Sequence, residues 1–252
     1  MRKVCVVITA RPSYSRIRSA LEALRTRDDI ELQVVAAASA LLDRYGSVVD
    51  EIEQDGFEIA SKVYMVLEGE QPSTMAKTTG IGLIELATAL TNLKPDFVVT
   101  IADRHETLAT AVAAAYMNIP LVHIQGGEIT GSIDEKVRHA ITKLSDYHLV
   151  STARARERVI KMGEEPETVM ALGFRPSSTR FLTRFIAPCL GRRVLELPLR
   201  DELQKPWLFR ERPGVHMQGI SGTTCPRSAR SLLGRPRPPT PSRQTREAKI
   251  HG

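Results

Sequence analysis

Residues 97–124 read FVVTIADRHETLATAVAAAYMNIPLVHI, and this stretch decides the fold class of the chain. Phe97–Ile101 is a short β-branched run, Glu106–Met117 is rich in alanine, and Ile119–Ile124 is apolar again. These patterns are typical of a buried strand, a helix packed on a sheet and a second buried strand. Two strands separated by a helix predict a parallel pair joined by a right-handed crossover.

The same alternation of strands and helices extends outward from this unit. The other predicted strands are Lys3–Thr9, Glu31–Ala38, Ile59–Val66, His148–Ser151 and Thr168–Leu172. The other predicted helices are Ser15–Arg27, Tyr45–Gln54, Thr79–Leu93, Ile133–Ser145 and Ala153–Met162. The polar segment Glu68–Lys77 contains Gly and Pro and is predicted to be a loop. The pattern predicts an α/β fold, a Rossmann-like doubly wound parallel sheet over residues 1–173.

The composition of the 252 residues is that of a globular protein, with 42% hydrophobic and 25% charged residues. It excludes collagen-like, coiled-coil and wholly disordered proteins. No apolar run reaches the roughly 18 residues of a membrane helix, and the signal-peptide-like start is ended by Arg11 and Pro12. Three scattered cysteines indicate neither a disulfide framework nor a zinc site. We therefore expect a cytoplasmic protein with no metal and no membrane partner.

Charge and proline divide the chain into two parts. Residues 1–170 carry 19 Lys and Arg against 24 Asp and Glu, whereas residues 171–252 carry 16 against 5 and contain ten of the 15 prolines. Neither a helix nor a central strand tolerates proline at this density, so residues 174–252 are predicted to be a low-order Arg/Pro-rich tail. Three origins remain open: a basic arm for nucleic acid or acidic surfaces, a Pro-rich ligand, or out-of-frame translation. We favour the last and expect no nucleic-acid partner.

Polar residues follow three predicted strands, where a parallel doubly wound sheet binds its ligands. The first cluster is Thr9–Ser15, in which Ser13 or Ser15 is predicted to cap a helix and Arg11 to donate to a phosphate. An ordinary strand-to-helix turn would have a similar sequence. The cluster lacks a Gly-rich fingerprint, which counts against a dinucleotide site.

The second cluster is Asp103–Glu106. Here Asp103 is expected to face the crevice and Glu106 to begin a helix, where acidic side chains are stabilised.

The third cluster runs from His123 to Asp134 and reads HIQGGEITGSID. Its paired glycines allow a ligand to approach the backbone closely, and Asp134 is expected in the first turn of a helix. A purely structural loop rarely needs so many polar side chains of opposite acid–base character. The cluster therefore indicates a functional site, although no His or Cys spacing indicates a metal.

The segment His123–Ser145, HIQGGEITGSIDEKVRHAITKLS, closely resembles the hydrolysing UDP-N-acetylglucosamine 2-epimerases of sialic acid and related nonulosonate biosynthesis. The turn Arg11–Ser15, the step Asp103–Arg104 and the segment Tyr45–Gly56 are also similar to that family. The resemblance covers about residues 2–173. It implies one half of a GT-B architecture and conversion of a UDP-N-acetylhexosamine to a free N-acetylmannosamine-type sugar plus UDP through a glycal. It implies a UDP-sugar partner, no cofactor and no metal.

By motif position, the resemblance assigns activity to Asp103, Asp134 and His123, with Gln125 and Glu128 beside them. It implies contacts to UDP or sugar from Arg11, Ser15, Arg104, Gly126, Gly127, Ser132, Arg138 and His139. Gln125 stands where better-known members have a catalytic Glu, and an amide cannot act as an acid or base. The hypothesis is that Gln125 orients the sugar or a water while Asp103 and Asp134 transfer protons. A second departure is Ile101-Ala102, which replaces a His-Gly pair.

The resemblance ends abruptly after Gly173. The family continues into a second domain of comparable size, whereas Phe174–Ser177 begins a sequence unlike that domain. We therefore expect a truncated or frameshifted C-terminus. Two alternatives to the epimerase remain open: a noncatalytic sugar-nucleotide-binding fragment and half of a GT-B glycosyltransferase. Self-association into a homo-oligomer also remains open.

Overall fold

The computed structural model describes residues 1–69 and 71–172, which form one parallel sheet with helices on both faces. Its strands are β1 (Arg2–Ile8), β2 (Ile30–Ala37), β3 (Ile59–Val63), β4 (Phe97–Ile101), β5 (Leu121–Ile124), β6 (Tyr147–Val150) and β7 (Val169–Ala171). Its helices are α1 (Arg11–Arg25), α2 (Val48–Gln54), α3 (Pro72–Leu93), α4 (His105–Tyr116), α5 (Ile133–Leu144) and α6 (Ala153–Lys161).

The strands are arranged in the order β3-β2-β1-β4-β5-β6-β7, and all neighbouring pairs are parallel. Strand β1 lies between β2 and β4, so Val4 pairs with Leu32 on one side and with Phe97 on the other. The strand order reverses between β1 and β4, which makes this the topological switch point. The predicted Rossmann-like doubly wound sheet is confirmed.

Two apolar clusters cover the two faces of the sheet. On one face α1 and α2 bury Ile17, Leu21 and Ile52. On the other face α3 buries Leu86, while the alanines of α4, such as Ala109, let that helix pack closely on the strands. Burial of this apolar surface is the main force that holds the strand ends in place.

Two helices begin earlier than the sequence predicted. Helix α1 begins at Arg11 rather than Ser15, and α3 begins at Pro72, so the predicted loop Glu68–Lys77 is wrong from Pro72 onward. Both helices have a proline in their first turn, where a missing N–H costs no hydrogen bond. The predicted serine cap of α1 is also wrong, because its N-cap is Ala10 and no side chain caps it.

The Arg/Pro-rich segment 174–252, and with it the predicted domain boundary after residue 173, lies outside the described residues. Within the described part of the chain, no helix combines the length and the hydropathy that a membrane crossing requires.

Candidate functional site

The ends of β1, β4 and β5 lie side by side at the carboxyl edge of the sheet, because β4 pairs with both neighbours. The turns that leave these three strands contain the three polar clusters of the sequence. The clusters therefore share one edge of the molecule, next to the switch point where such sheets bind ligands.

Two left-handed residues turn the chain at this edge. Ala102 has φ 71° directly after β4, and Gln125 has φ 70° directly after β5. Both amides still bond to the neighbouring strand segment, Ala102 N to Ile124 O at 3.0 Å and Gln125 N to Leu149 O at 2.8 Å. The left-handed conformation costs a residue with a side chain roughly 1–2 kcal/mol. A glycine, as in the His-Gly pair of the resembled family, adopts it without this cost.

Arg138 of α5 ties the two turns together. Its guanidinium binds the carboxylate of Asp103 and donates to the carbonyl of Glu128 at 2.7 Å. The residue is only 5% exposed, and burial lowers the pKa of Arg138, with the charge of Arg16 acting in the same direction. The sequence interpretation placed Arg138 against UDP. In the structure its guanidinium is buried and bonded to protein, where it holds Asp103.

Two further carboxylates of the site, those of Asp134 and Glu128, accept no hydrogen bond from the described residues. Asp134 is the second residue of α5, and its backbone N–H donates to Ser132 Oγ at 3.2 Å. Burial alone would lower the pKa of Arg104, but hydrogen bonds to Glu106 and the charges of Glu106 and Asp134 raise it. Asp134 therefore lies close enough to Arg104 to interact electrostatically, and no described residue occupies its oxygens with a hydrogen bond.

The paired glycines make room for protein. A Cβ on Gly127, which has φ 77°, would lie 2.5 Å from the carbonyl oxygen of Ala155 in α6. A Cβ on Gly126 would lie 3.0 Å from Thr142 Oγ1 of α5. Sequence reasoning expected a ligand in this space. The structure shows a close approach between the loop after β5 and the helices beneath it.

His123 lies beneath the site and is fully buried. Its Nε2 bonds to the carbonyl of Ala102 at 2.9 Å, and its Nδ1 lies 3.3 Å from Thr142 Oγ1. A carbonyl only accepts, so Nε2 carries the proton, while the single hydroxyl proton of Thr142 is donated to the carbonyl of Arg138 at 2.9 Å. Burial lowers the pKa of His123 to about 4, so the ring is neutral. The buried imidazole supports the left-handed turn at Ala102.

The loop before α5 has the S-x-x-E spacing of a capping box in Ser132 and Glu135, but the bonds differ, because Ser132 Oγ accepts from the N–H of Asp134. Glu135 Oε2 accepts from the backbone N–H groups of Thr130 at 2.8 Å and Gly131 at 2.7 Å, and these bonds lower its pKa. His139 Nε2 lies 3.9 Å from Glu135 Oε1. Ser132 and His139, both expected at UDP, thus contact their own helix and loop. The capping spacing is a sequence signal that could have identified Glu135.

The predicted phosphate donors have partners in the protein. Arg11 Nη2 donates to the carbonyl of Gly46 at 2.7 Å and lies 3.5 Å from Glu51 Oε2. Arg104 binds both carboxylate oxygens of the buried Glu106, at 3.0 and 3.1 Å. The exposed Ser15 hydroxyl donates to the carbonyl of Pro12 at 3.2 Å.

Sequence reasoning missed Arg16. Its Nη1 donates to Gln125 Oε1 at 3.1 Å across a separation of 109 residues. No local pattern reveals a contact over this distance.

A metal site would need several ligands in one place. Across residues 1–69 and 71–172, no three His, Cys, Asp or Glu side chains form a group suited to a metal ion.

Comparisons of sequence and of structure with known proteins both find UDP-N-acetylglucosamine 2-epimerases. The family model described as UDP-N-acetylglucosamine 2-epimerase matches residues 22–175. A hydrolysing UDP-N,N'-diacetylbacillosamine 2-epimerase of Legionella pneumophila is 40% identical over 173 residues, which are 69% of this chain and 46% of the relative. A hydrolysing GDP/UDP-N,N'-diacetylbacillosamine 2-epimerase of Campylobacter jejuni is 32% identical over 80% of this chain and 53% of the relative. The chain spans about half the length of the curated relatives it matches.

Solved structures show the same fold. A UDP-GlcNAc 2-epimerase of Neisseria meningitidis, crystallised with UDP-GlcNAc, has a TM-score of 0.61 at 20% identity over 77% of this chain and 50% of its own. Another UDP-N-acetylglucosamine 2-epimerase structure has a TM-score of 0.61 at 22% identity over 68% of this chain and 48% of its own. About half of each of these two solved chains thus aligns with this chain. Since the family model covers more than half of the sequence, this chain belongs to the UDP-N-acetylglucosamine 2-epimerase family.

Proposed function

We propose that this chain is the half of a hydrolysing UDP-N-acetylhexosamine 2-epimerase that supplies the proton-transfer groups. The observation that carries the proposal is the placement of Asp103, Gln125 and Glu128 on the turns after β4 and β5, with Asp134 at the start of α5, in a member of this family. The Legionella and Campylobacter relatives support a UDP-linked 2-acetamido sugar as the substrate.

The proposed reaction has two stages. A carboxylate removes the proton at C2 of the sugar while the bond from C1 to the UDP oxygen breaks, which leaves a C1–C2 double bond and free UDP. Water then adds across the double bond: its hydroxyl joins C1, and a proton returns to C2 from the opposite face. Asp103 and Asp134 perform the two proton transfers, a role that suits carboxylates. Gln125 orients the sugar or the water, because an amide only donates and accepts hydrogen bonds.

Arg11, Arg104 and Ser15 remain the proposed contacts of the diphosphate. Guanidinium groups beside the leaving oxygens would stabilise the charge that develops as UDP departs. Arg11 and Arg104 have side chains 56% and 51% exposed, so both can reach a ligand in addition to their protein partners. Self-association and a cytoplasmic location remain predictions.

The test is to incubate the full chain with UDP-GlcNAc and with UDP-N,N'-diacetylbacillosamine. UDP release is followed by a coupled assay and the free sugar is identified by chromatography. The expected products are UDP and the free 2-epimer, and Asp103→Asn and Asp134→Asn should each lower the rate by about 100-fold or more. Binding without UDP release would favour a noncatalytic sugar-nucleotide-binding role, and transfer of the sugar to an acceptor would favour a glycosyltransferase. If Gln125→Glu and Gln125→Ala both leave turnover unchanged, the role of Gln125 is wrong.

A further inference from the structure

Helix α1 brings a positive charge to the residue that follows β5. The exposed Arg16 donates a hydrogen bond from Nη1 to Oε1 of the half-buried Gln125, and these two atoms are 3.1 Å apart. Gln125 is also fixed through its backbone, whose N–H donates to Leu149 O at 2.8 Å in the left-handed conformation. Gln125 is therefore fixed by one hydrogen bond at its side-chain oxygen and by another at its backbone N–H.

The chemistry of the contact determines which way the amide faces. A guanidinium has five N–H donors and no acceptor, so only the carbonyl oxygen of Gln125 can face Arg16. The NH₂ group must then lie on the opposite side of the carboxamide. No residue in the described part of the chain accepts a hydrogen bond from it, which leaves two N–H donors for a ligand.

We propose that Arg16 is a positioning residue that fixes the Gln125 carboxamide as a hydrogen-bond donor, so that the site selects an oxygen acceptor of the bound nucleotide sugar at this position. The acceptor is a carbonyl, hydroxyl or phosphoryl oxygen. This inference rests on the proposed function for the identity of the ligand, and on the Arg16–Gln125 contact alone for the orientation.

The charges around Gln125 favour such an acceptor. The guanidinium of Arg16 lies near that of Arg138, and its charge is one reason why the pKa of Arg138 is lowered, after burial. The Arg138 guanidinium is bonded to Asp103 and to the carbonyl of Glu128, whereas Arg16 has further N–H groups beside the Gln125 amide. A carboxylate at position 125 would pair with Arg16 and only accept hydrogen bonds. The same position would then select a ligand donor.

The orientation is tested without any ligand. Nuclear magnetic resonance of the full chain gives the side-chain carbonyl ¹³C and NH₂ resonances of Gln125. These resonances are assigned because they disappear in Gln125→Glu, and they are then compared among variants. Arg16→Ala should shift the carbonyl resonance upfield, because the charge-assisted bond is lost. Arg16→Lys should restore part of the shift. Arg18→Ala is the charge-matched control on the same helix, since Arg18 pairs with Asp55 instead, and it should leave the signal unchanged. An identical Gln125 signal in Arg16→Ala and the unchanged protein would overturn the orientation.

The selection of an acceptor is tested by calorimetric titration with UDP-GlcNAc and with UDP. We expect Arg16→Ala and Gln125→Glu each to weaken UDP-GlcNAc binding about tenfold, the loss of one good hydrogen bond, whereas Arg18→Ala binds normally. A matching loss for UDP places the acceptor on the nucleotide, and a loss confined to UDP-GlcNAc places it on the sugar. Unchanged affinity in Arg16→Ala and Gln125→Glu would overturn the selection. If the unchanged protein binds neither ligand, the proposed function fails, and the resonance of Gln125 still decides whether Arg16 orients it.

Discussion

The turn after β1 and the turns after β4 and β5 share one edge of the sheet but are stabilised in different ways. After β1 the chain enters α1 at once, and Arg11 makes contacts on the surface, to a carbonyl and a half-exposed carboxylate. After β4 and β5 the turns contain left-handed residues and are held from beneath by Arg138 and His123, which are buried. Replacing a residue of the turn after β1 should therefore change the free energy of unfolding little. The turns after β4 and β5 depend on buried polar groups, so replacing one of those groups should destabilise the fold more.

The largest expected difference concerns two arginines. Arg138→Met leaves Asp103 and the carbonyl of Glu128 without their buried partner and should lower the free energy of unfolding by about 4 kcal/mol. Arg11→Met removes an exposed pair and should cost less than about 1 kcal/mol. Urea unfolding followed by circular dichroism measures both. Equal losses would mean that the two sides of the edge are stabilised alike.

Alanine variants of two glycines in the loop after β5 distinguish the cost of a steric clash from the cost of a left-handed backbone. Gly127→Ala must fit a Cβ 2.5 Å from a carbonyl of α6 at φ 77°, and it should cost about 3 kcal/mol. Gly131→Ala has a similar φ of 73° but no atom within 4 Å, so only the left-handed penalty of about 1 kcal/mol applies. Thermal unfolding of the two variants gives the difference. Comparable melting temperatures would show that the loop does not pack on α6.

The pH dependence of stability should report the buried histidines of β5 and β6. Burial lowers the pKa of His123 and of His148 to about 4, below the value of about 6.5 in an unfolded chain. Between these values the unfolded chain binds more protons, so stability is full above pH 6.5 and falls as the pH is lowered. From pH 6.5 to 5 the loss is about 2 kcal/mol for each histidine.

His148→Leu is the matched variant for this titration, because the side chain is fully buried and neither ring nitrogen hydrogen-bonds to a described residue, although Nε2 lies 3.4 Å from Glu164 Oε2. The variant should remove about half of the pH-dependent loss, measured by urea unfolding at pH 5 and pH 7. A free energy of unfolding that is the same at both pH values would rule out neutral buried histidines as its cause.

The strands and the position of the site follow from local patterns. Strand β4 has the predicted bounds, Phe97–Ile101, because a short β-branched run between polar turns is typical of a buried strand. The polar residues after β4 and β5 are also predicted, since strand ends in a parallel sheet meet at one edge. The starts of α1 and α3 were missed for one reason: Pro12 and Pro72 suggested turns, whereas proline is favourable in a first helical turn.

The partners of the site residues do not follow from local patterns. The resemblance assigns Arg138, Gly127 and His123 to the site, and the structure adds a protein contact for each, because packing across the sheet brings distant segments against them. Arg16 gave no signal, since its contact joins α1 to the turn after β5. Burial and long-range contacts are properties of the assembled sheet.

The central position of β1 has a consequence for biosynthesis. Val4, Cys5 and Val6 pair with residues 97–99, so β1 has one open edge during synthesis until more than ninety further residues have emerged from the ribosome. Such non-local pairing delays closure of the sheet. During translation the nascent chain therefore passes through a stage in which an apolar strand edge is available to chaperones or to other chains.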